Sequence, residues 1–354
     1  MYGLSTGPQG SDRGVAVHRL TTVFLNEMHT CSIVGLCMRP TNLVLWTLLP
    51  AVAAAQSCRD SSPEPFVPFS INYDVTTLAL QPGFDTIPQL SNGFVALDEA
   101  SGAVYCEWAP HAVWVIEDGG AGPMLYLVDV RNGRVMSRLQ LVTGWTNEDW
   151  EDLAHWTDAS GQRWLYFGDI GDNDAVHPTR RVYALPEPVG IDTAGPAIQS
   201  HQPSVMKEWT YIYEDGPRDA ESMFADPLDG RVYLVSKRDV RNRIYVLPSE
   251  PSLGGDTAQY LGDLPLFMTT AADRRQLPGG RSPIVIRSYG RLYYWDAAPH
   301  EAACDVLQRV PTQLPYTDQE AQGEIFAWLK DGTYVLLSEK AGGVSPQVHH
   351  YMRK

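Results

Sequence analysis

Short hydrophobic runs separated by polar turns dominate the chain from about residue 70 onwards. Residues 113–116, 124–128 and 164–167 are typical, being rich in aromatic and β-branched side chains and flanked by Gly, Asp, Asn or Ser. Such runs predict short strands. No long stretch has the spacing and end signals of an amphipathic helix. The pattern therefore predicts an all-β fold.

The predicted strands recur in groups, each opened by an acidic residue. These leading acids are Glu99, Glu151, Glu221, Asp273 and Glu324. They are about 50 residues apart, except for about 70 between the second and third, and a period of 40–50 residues with four short strands is typical of propeller blades. A Pro/Gly-rich insertion over residues 186–203 fills the longer interval. We predict a single β-propeller of five blades, or six if that interval hides another.

Closure of the ring is expected to use a strand from the N-terminal side. The fifth group has no room for an outer strand before Lys354, and residues 71–80 could supply it. Pairing the two ends of the chain would remove a free sheet edge. The propeller is therefore predicted to span residues 71–354, after a linker over residues 58–70.

Residues 1–57 resemble targeting sequence, with a signal peptide over residues 38–55. Met38 and Arg39 precede an apolar run at 43–49 and an alanine-rich segment at 51–55, which is the arrangement of an export signal. We predict that Met38 is the true start, that cleavage follows Ala55, and that the protein is periplasmic or secreted. The alternative is an outer-membrane lipoprotein acylated at Cys58, although Gln56 and Ser57 make a poor lipobox.

Cysteine usage argues against a thiolate metal site. Of five cysteines, Cys31 and Cys37 fall in the segment expected to be removed, and the remaining three form no CxxC pair. If Cys58 is lipidated or free, Cys106 and Cys304 are the natural disulfide partners in an exported chain. The spacing alone leaves the connectivity open.

The formal net charge of −15 makes nucleic acid an unfavourable partner. Such a surface suits cations or basic partners, or it simply keeps the protein soluble by self-repulsion. The expected partner is a small molecule or an extracytoplasmic protein. Nothing specifies an oligomer, so we expect a monomer.

Antiparallel pairing should gather the leading acids at one end of the blades. The start of a first strand and the end of a second strand lie side by side. The second strands end at Glu117 and Asp118, Asp169, Lys237, Arg287, and Glu339 and Lys340. Clustered carboxylates predict a site for calcium or another divalent cation, with Lys237 and Arg287 neutralising the ring or holding an anionic ligand. The alternative is that each acid caps backbone N–H groups where blades meet.

A second acidic cluster follows the second blade. Residues 168–174 combine Asp169, Asp172, Asp174 and Asn173 with two glycines, as in a calcium-binding loop, although the spacing is not that of an EF-hand. Asx residues also stabilise turns without a metal. The candidate metal ligands are Glu99, Glu151, Asp169, Asp172, Glu221, Asp273 and Glu324, and residues 146–152 add further acids at the same end.

The strings NEDWEDLA (147–154) and GDIGDN (168–173), with residues 97–102, 219–221 and 322–324, resemble a family of secreted bacterial β-propellers. The ring of acids is more distantly similar to that of phytase-like and gluconolactonase/regucalcin-like propellers. That resemblance implies a divalent metal at the channel mouth and, in some members, hydrolysis of phosphate esters or lactones. The chain departs from the phytase pattern because only Lys237, Arg287 and Lys340 could hold phosphate.

Two functions follow as expectations. The first is a binding or interaction module whose acidic mouth holds a cation. The second is a metal-dependent hydrolase of phosphate esters or lactones, with Glu151 or Asp169 as ligand or base. The sequence has no GxSxG or HExxH motif, and His155 and His177 are either general-base candidates or ordinary polar loop residues.

Overall fold

The computed structural model describes residues 66–120, 122–195, 197–317 and 320–354. The signal-peptide and linker predictions for residues 1–65 lie outside this part of the chain. Two short strands, β1 (Phe69–Ser70) and β2 (Gln89–Leu90), precede the repeats. Among the described residues, no helix is long and apolar enough to cross a membrane.

The first two repeats are antiparallel meanders of four strands. The first contains β3 (Ala100–Tyr105), β4 (Ala112–Glu117), β5 (Met124–Asp129) and β6 (Val135–Leu141). The second contains β7 (Trp150–Thr157), β8 (Arg163–Asp169), β9 (Arg180–Pro186) and β11 (Lys207–Tyr213), with β10 (Ile198–His201) inserted before its last strand.

The last three repeats follow the same plan. The third contains β12 (Ala220–Ala225), β13 (Val232–Ser236), β14 (Asn242–Val246) and β15 (Asp256–Leu264). The fourth contains β16 (Thr269–Arg274), β17 (Ile284–Ser288), β18 (Arg291–Trp295), the short helix α1 (Ala303–Leu307) and β19 (Thr312–Gln313). The fifth contains β20 (Gly323–Trp328), β21 (Tyr334–Ser338) and β22 (His349–Tyr351).

Five hydrophobic cores fill the spaces between neighbouring repeats. One core joins repeats one and two around Trp114 and Trp150, and the next three join repeats two to three, three to four and four to five. The last core joins repeats five and one through Ile325 and Val115. Both faces of the inner strands are therefore buried, which explains why their sequences are continuous apolar runs instead of alternating ones.

The first strands contact one another in cyclic order. Strand β3 packs beside β7, β7 beside β12, β12 beside β16, β16 beside β20, and β20 beside β3. This arrangement, with antiparallel meanders packed face to face around it, is β-propeller-like and confirms the all-β prediction.

The insertion after the second repeat carries its own strand. Within residues 186–203, β10 pairs in parallel with β6, so the insertion extends the sheet of the first repeat. The outer strands β11 and β15 also pair in parallel and connect the sheets of repeats two and three.

The expected closing strand was assigned to the wrong segment. Strand β22 pairs with β2 at Gln89 and Leu90, not with residues 71–80. Ile71, Tyr73 and Leu78 pack instead against the core between repeats three and four. Their hydrophobic pattern reflects that packing, and not membership of the fifth sheet.

The Cys106–Cys304 disulfide, expected if Cys58 is lipidated or free, does not form. Cys106 is a buried free thiol, whereas Cys304 is disulfide-bonded. Burial raises the pKa of the Cys106 thiol to about 12. This thiol is therefore protonated at neutral pH and is a poor nucleophile.

Candidate functional site

A β-bulge near the start of each first strand leaves one residue, or two in the first repeat, out of the sheet pairing. In three repeats the residue skipped by the pairing is a glutamate, namely Glu151, Glu221 or Glu324. In the fourth repeat the skipped residue is Thr270, and in the first repeat residues 101 and 102 are skipped. Bulges re-aim side chains in this way at functional sites. Three of the five predicted leading acids therefore occupy one equivalent position.

The residue following each second strand forms a second tier at the same end. Aligning the strand pairs by their register identifies Asp118, Ile170, Lys237, Tyr289 and Glu339 as equivalent residues. Three of these bond back to the start of the first strand, because the amides of Asp118, Lys237 and Glu339 donate to the carbonyls of Glu99, Asp219 and Gln322 over 2.9 Å. We call this end of the first strands, with its acids, the acidic mouth.

Three carboxylates converge most closely within the acidic mouth. One oxygen each from Asp118, Asp149 and Glu151 lies within 4.8 Å of the other two. Gly171 passes directly over them, since a Cβ atom at that position would lie 2.6 Å from Cγ of Asp149. A side chain at position 171 would displace the carboxylates of Asp149 and Glu151 from this arrangement.

Repulsion and burial disfavour the charged forms of these carboxylates. Burial, followed by the neighbouring charge of Asp118, raises the pKa of Asp149 to about 6. Burial raises the pKa of Glu151 well above its usual value, and Asp118 and Asp149 raise it further while Lys237 opposes them. The carboxylates of Asp118 and Asp149 lie so close together that a negative charge on Asp118 disfavours the charged form of Asp149.

Glu151 is the most deeply buried of the three. Its side chain is 8% exposed, and no described residue donates a hydrogen bond to its carboxylate or forms an ion pair with it. Buried carboxylates are normally paired or hydrogen-bonded, because desolvating an uncompensated charge is costly. The carboxylate of Glu151 therefore has no protein donor among the described residues.

The opposite side of the acidic mouth is compensated internally. Nζ of Lys237 donates to a carboxylate oxygen of Glu221 and to Oη of Tyr289, the latter over 3.1 Å. Tyr289 in turn donates to Glu324 over 2.8 Å. The carboxylate of Glu221 is thus bound by Lys237, and the carboxylate of Glu324 is bound by Tyr289.

Two further acids border this network. Asp219 forms an ion pair with Arg238 and accepts the amide of Asp172 over 2.9 Å. Burial, followed by the charges of Glu324, Asp118 and Glu99, raises the pKa of Glu339 to about 7. Glu99 itself is exposed and contributes at the rim.

Asp169 and Asp172 have structural partners. Asp169 accepts the amide of Asp149 over 2.9 Å and pairs with Arg180 over 3.1 Å, so it positions Asp149. Asp172 accepts the amides of Val176 and His177 over 3.0 and 2.8 Å and closes the loop that follows β8. In the acidic loop over residues 168–174, Asp172 therefore stabilises a turn, which is the role considered above as the alternative to metal binding.

Asp273 does not reach the acidic mouth. It is the fifth residue of β16, three positions beyond Thr270 at the bulge, and its carboxylate accepts the amide of Trp328 in β20 over 3.0 Å. Burial raises the pKa of Asp273 to about 6. Asp273 therefore caps a backbone N–H group where two repeats meet, which is the alternative role considered for the leading acids. It does not share the position of Glu151, Glu221 and Glu324.

Arg287 is likewise enclosed. Its side chain has no exposed surface, and its guanidinium donates to Glu320 over 2.6 Å and to the carbonyl of Ile325. The register assigns Tyr289, not Arg287, to the position of Lys237. Neither of the two cations expected to hold an anion has a free charge at this mouth.

Asp118 and Asp149 are the residues that the sequence-based ligand set omitted. Both lay in strings recognised as acidic, Asp118 at a second-strand end and Asp149 between Glu148 and Trp150. The signal that could have selected Asp149 is its position immediately before the first paired residue of β7. Asp219 holds the same position before β12.

Comparisons with known proteins give no family. No protein-family model matches the chain, and no curated protein does. Solved structures with a distant likeness include a glucose dehydrogenase (10% identity over 74% of this chain and 99% of that one, TM-score 0.43). A GH43 glycoside hydrolase has 9% identity over 73% of this chain and 51% of that one, with a TM-score of 0.41. A protein of unknown function from Dyadobacter fermentans has 9% identity over 77% of this chain and 100% of that one, with a TM-score of 0.39. These likenesses carry no argument about function, and the family resemblance stays a prediction.

Proposed function

We propose that the chain is an exported five-bladed β-propeller that binds a divalent cation, calcium in the first instance, in its acidic mouth. We further propose that it uses this mouth as a binding module for a small molecule or an extracytoplasmic protein. Five meanders, five cores between them and the pairing of β2 with β22 support the blade count and closure. The segment over residues 38–55 supports export.

The observation that carries the cation is the unpartnered carboxylate of Glu151 beside Asp118 and Asp149. The donor set is made of carboxylate oxygens only, without sulfur or imidazole, which favours a hard cation over zinc. Asp118, Asp149 and Glu151 would hold the ion, and its charge would replace the protons that the cluster otherwise retains.

Thermal melting with calcium, and with EDTA as the metal-free control, tests this proposal. Calcium is expected to raise the Tm of the wild-type chain in a concentration-dependent way, by mass action. Glu151→Gln should lose most of that gain. Glu250→Gln, which changes an exposed glutamate paired with Lys207, should retain it.

The same variants separate a metal ligand from a structural residue. In EDTA, Glu151→Gln should be at least as stable as the wild type, because it removes a buried, repelled charge. In calcium, it should be less stable. A wild-type melt that is unchanged by calcium, magnesium and manganese would remove the cation site.

The hydrolase alternative has weaker support. A metal-activated water needs an open coordination position and groups that hold the substrate anion, but Lys237 and Arg287 are bound to Glu221 and Glu320. We therefore favour the binding module. Turnover of a phosphate-ester or lactone panel that depends on calcium and is lost in Glu151→Gln would reverse this preference.

A further inference from the structure

A second pocket lies at the opposite end of the first strands. Its volume is about 220 Å³, and its lining includes Tyr105, His155, Thr157, Arg274, Arg275 and Gln276. These residues stand at or just beyond the C-terminal ends of β3, β7 and β16, whereas the acidic mouth lies at their N-terminal ends. We call this cavity the distal pocket.

Two arginines enclose an aromatic ring at its wall. The guanidinium carbons of Arg163 and Arg275 each lie 3.8 Å from the ring centre of Tyr105. His155 packs edge-on against the same ring, with ring centres 5.2 Å apart. Stacking on an aromatic ring fixes the orientation of each guanidinium group in a site with little solvent.

The surrounding charges are paired, with one exception. Arg163 pairs with Glu187 over 3.2 Å and Arg274 with Asp226 over 2.9 Å. Lys330 pairs with Glu107 over 2.5 Å. Arg275 forms no ion pair with any described residue, and it feels the charge of Asp273 only from beyond ion-pair distance.

Arg275 and His155 each keep a buried donor without a partner at the distal pocket among the described residues, and Nε of the ion-paired Arg274 also has no acceptor there. Arg275 is 7% exposed and its Nη1 has no hydrogen-bond acceptor, and His155 is 8% exposed with Nδ1 unpartnered among the described residues. Burial and the nearby charges of Arg163 and Arg275 lower the pKa of His155, so its ring is neutral and its Nδ1 can carry the proton. Buried donors left in this state cost free energy unless an acceptor fills the cavity.

We propose that the distal pocket binds a compact oxyanion, a carboxylate or phosphate group, held by Arg275 and His155. The arginine offers parallel N–H donors that match a pair of anionic oxygens, and the histidine adds a neutral donor. The cavity exceeds the roughly 30 Å³ share of one water molecule several-fold, which leaves room for a small organic acid or phosphate ester. This site is separate from the proposed cation site and does not depend on it.

Isothermal titration of the intact chain with inorganic phosphate and, separately, with succinate tests the proposal. EDTA is present throughout, so that no ion in the acidic mouth can attract the anion, and sodium chloride keeps the ionic strength constant. We expect saturable binding of at least one probe, and the arm that binds identifies phosphate or carboxylate as the ligand class. No saturable heat with either probe would overturn the proposal.

Variants assign the binding to the distal pocket. Arg275→Gln should weaken the affinity by about ten- to a hundredfold, because it removes a charged donor. Arg281→Gln removes an arginine that is paired with Asp296 on the surface and should leave the affinity unchanged. If Arg275→Gln does not fold, Arg275→Lys and His155→Gln serve instead, and each should weaken binding. Equal affinity in wild type and in the folded variants would refute the site.

Discussion

Adjacent acids in the inner strand β7 have opposite roles. Asp152 is fully buried, and one of its carboxylate oxygens accepts the amides of Met223 in β12 and Ala272 in β16, over 2.8 and 3.0 Å. Its neighbour Glu151 has no hydrogen-bond donor among the residues that the structure describes. Side chains on a strand alternate in direction, so one residue ties three inner strands together while the next faces the acidic mouth.

Asp152→Ala should therefore destabilise the protein strongly. The change leaves three buried N–H groups, those of Leu153, Met223 and Ala272, without acceptors. Each costs about 1–3 kcal/mol, so the free energy of unfolding should fall by about 3–9 kcal/mol. Urea denaturation measures this. Asp174→Ala, at an exposed loop position, should stay within about 0.5 kcal/mol of wild type, and a comparable loss there would contradict the assignment.

The raised pKa of Asp149 and Glu151 predicts an inverted pH dependence in EDTA. Because both folded-state pKa values lie above the unfolded ones, the folded chain binds more protons than the unfolded chain from about pH 4 to about pH 6 and above. Their contribution to stability is then fully present at low pH and is lost as the pH rises through this window. Melts in EDTA at about pH 5, 6 and 7 should show this fall, and Glu151→Gln should reduce it.

Calcium should act in the opposite direction along the same pH range. The ion binds deprotonated carboxylates, so its gain in Tm should be small at about pH 5 and grow towards pH 7. A calcium gain that does not change with pH would mean that the ion binds away from Asp149 and Glu151.

The limits of sequence-based prediction at this scale are visible at Asp273. An acid early in each repeat correctly identified Glu151, Glu221 and Glu324 as equivalent. The fourth repeat carries Thr270 at that position and an acid three residues later, and spacing alone could not separate the two. Whether a carboxylate caps a neighbouring strand or faces the mouth depends on the bulge, which no short-range pattern reveals.

At the level of elements, the bulge of β20 is built against an arginine. Gly323 lies directly against the guanidinium of Arg287, so that a Cβ atom there would overlap it. Arg287 cannot move aside because it is fully buried and bonded to Glu320 and the carbonyl of Ile325. The geometry of this strand start therefore depends on the absence of a side chain.

Gly323→Ala is expected to lower the free energy of unfolding by about 1–3 kcal/mol, the usual cost of overpacking. Gly290→Ala is the matched control, since nothing lies within 4 Å of its would-be Cβ, and it should be neutral or slightly stabilising. Chemical denaturation of both variants measures the difference. Equal stabilities would mean that the start of β20 can relax without cost.

The strands that the sequence placed least well are the outer ones. The inner strands are continuous apolar runs and were assigned to the correct repeats, whereas β2 and β19 have only two residues each and carry almost no hydrophobic signal. The sequence favours residues 71–80 as the closing strand because the fifth group has no room for an outer strand before Lys354. The apolar side chains of this segment pack against the core between repeats three and four. An apolar pattern therefore indicated burial correctly, but it did not identify the strand that pairs with the fifth sheet.

For the whole molecule, stability depends on joining the two ends of the repeat array. The segment around β2 meets the last repeat at several points, with amides of Asp85 and Ser91 donating to the carbonyls of Met352 and Val348 over 2.9 and 3.0 Å. Phe84 is 3% exposed and packs against Trp328 and Tyr334, with ring centres 5.9 and 5.1 Å apart. This side chain anchors the N-terminal segment to repeats four and five.

Phe84→Ala should consequently weaken closure, and not only local packing. Truncating a buried Phe costs about 3–5 kcal/mol, and loosening the segment should also expose the amides of β22, whose outer partner is β2. Hydrogen exchange should then accelerate in β22 and β21 before it does in β7, because local opening releases the least supported elements first. Phe94→Ala, at a 60% exposed side chain, should leave both stability and exchange near wild type. Uniform acceleration over all repeats would mean that the ring opens as one cooperative unit, whereas unchanged exchange in β22 would show that the fifth sheet holds without its N-terminal partner.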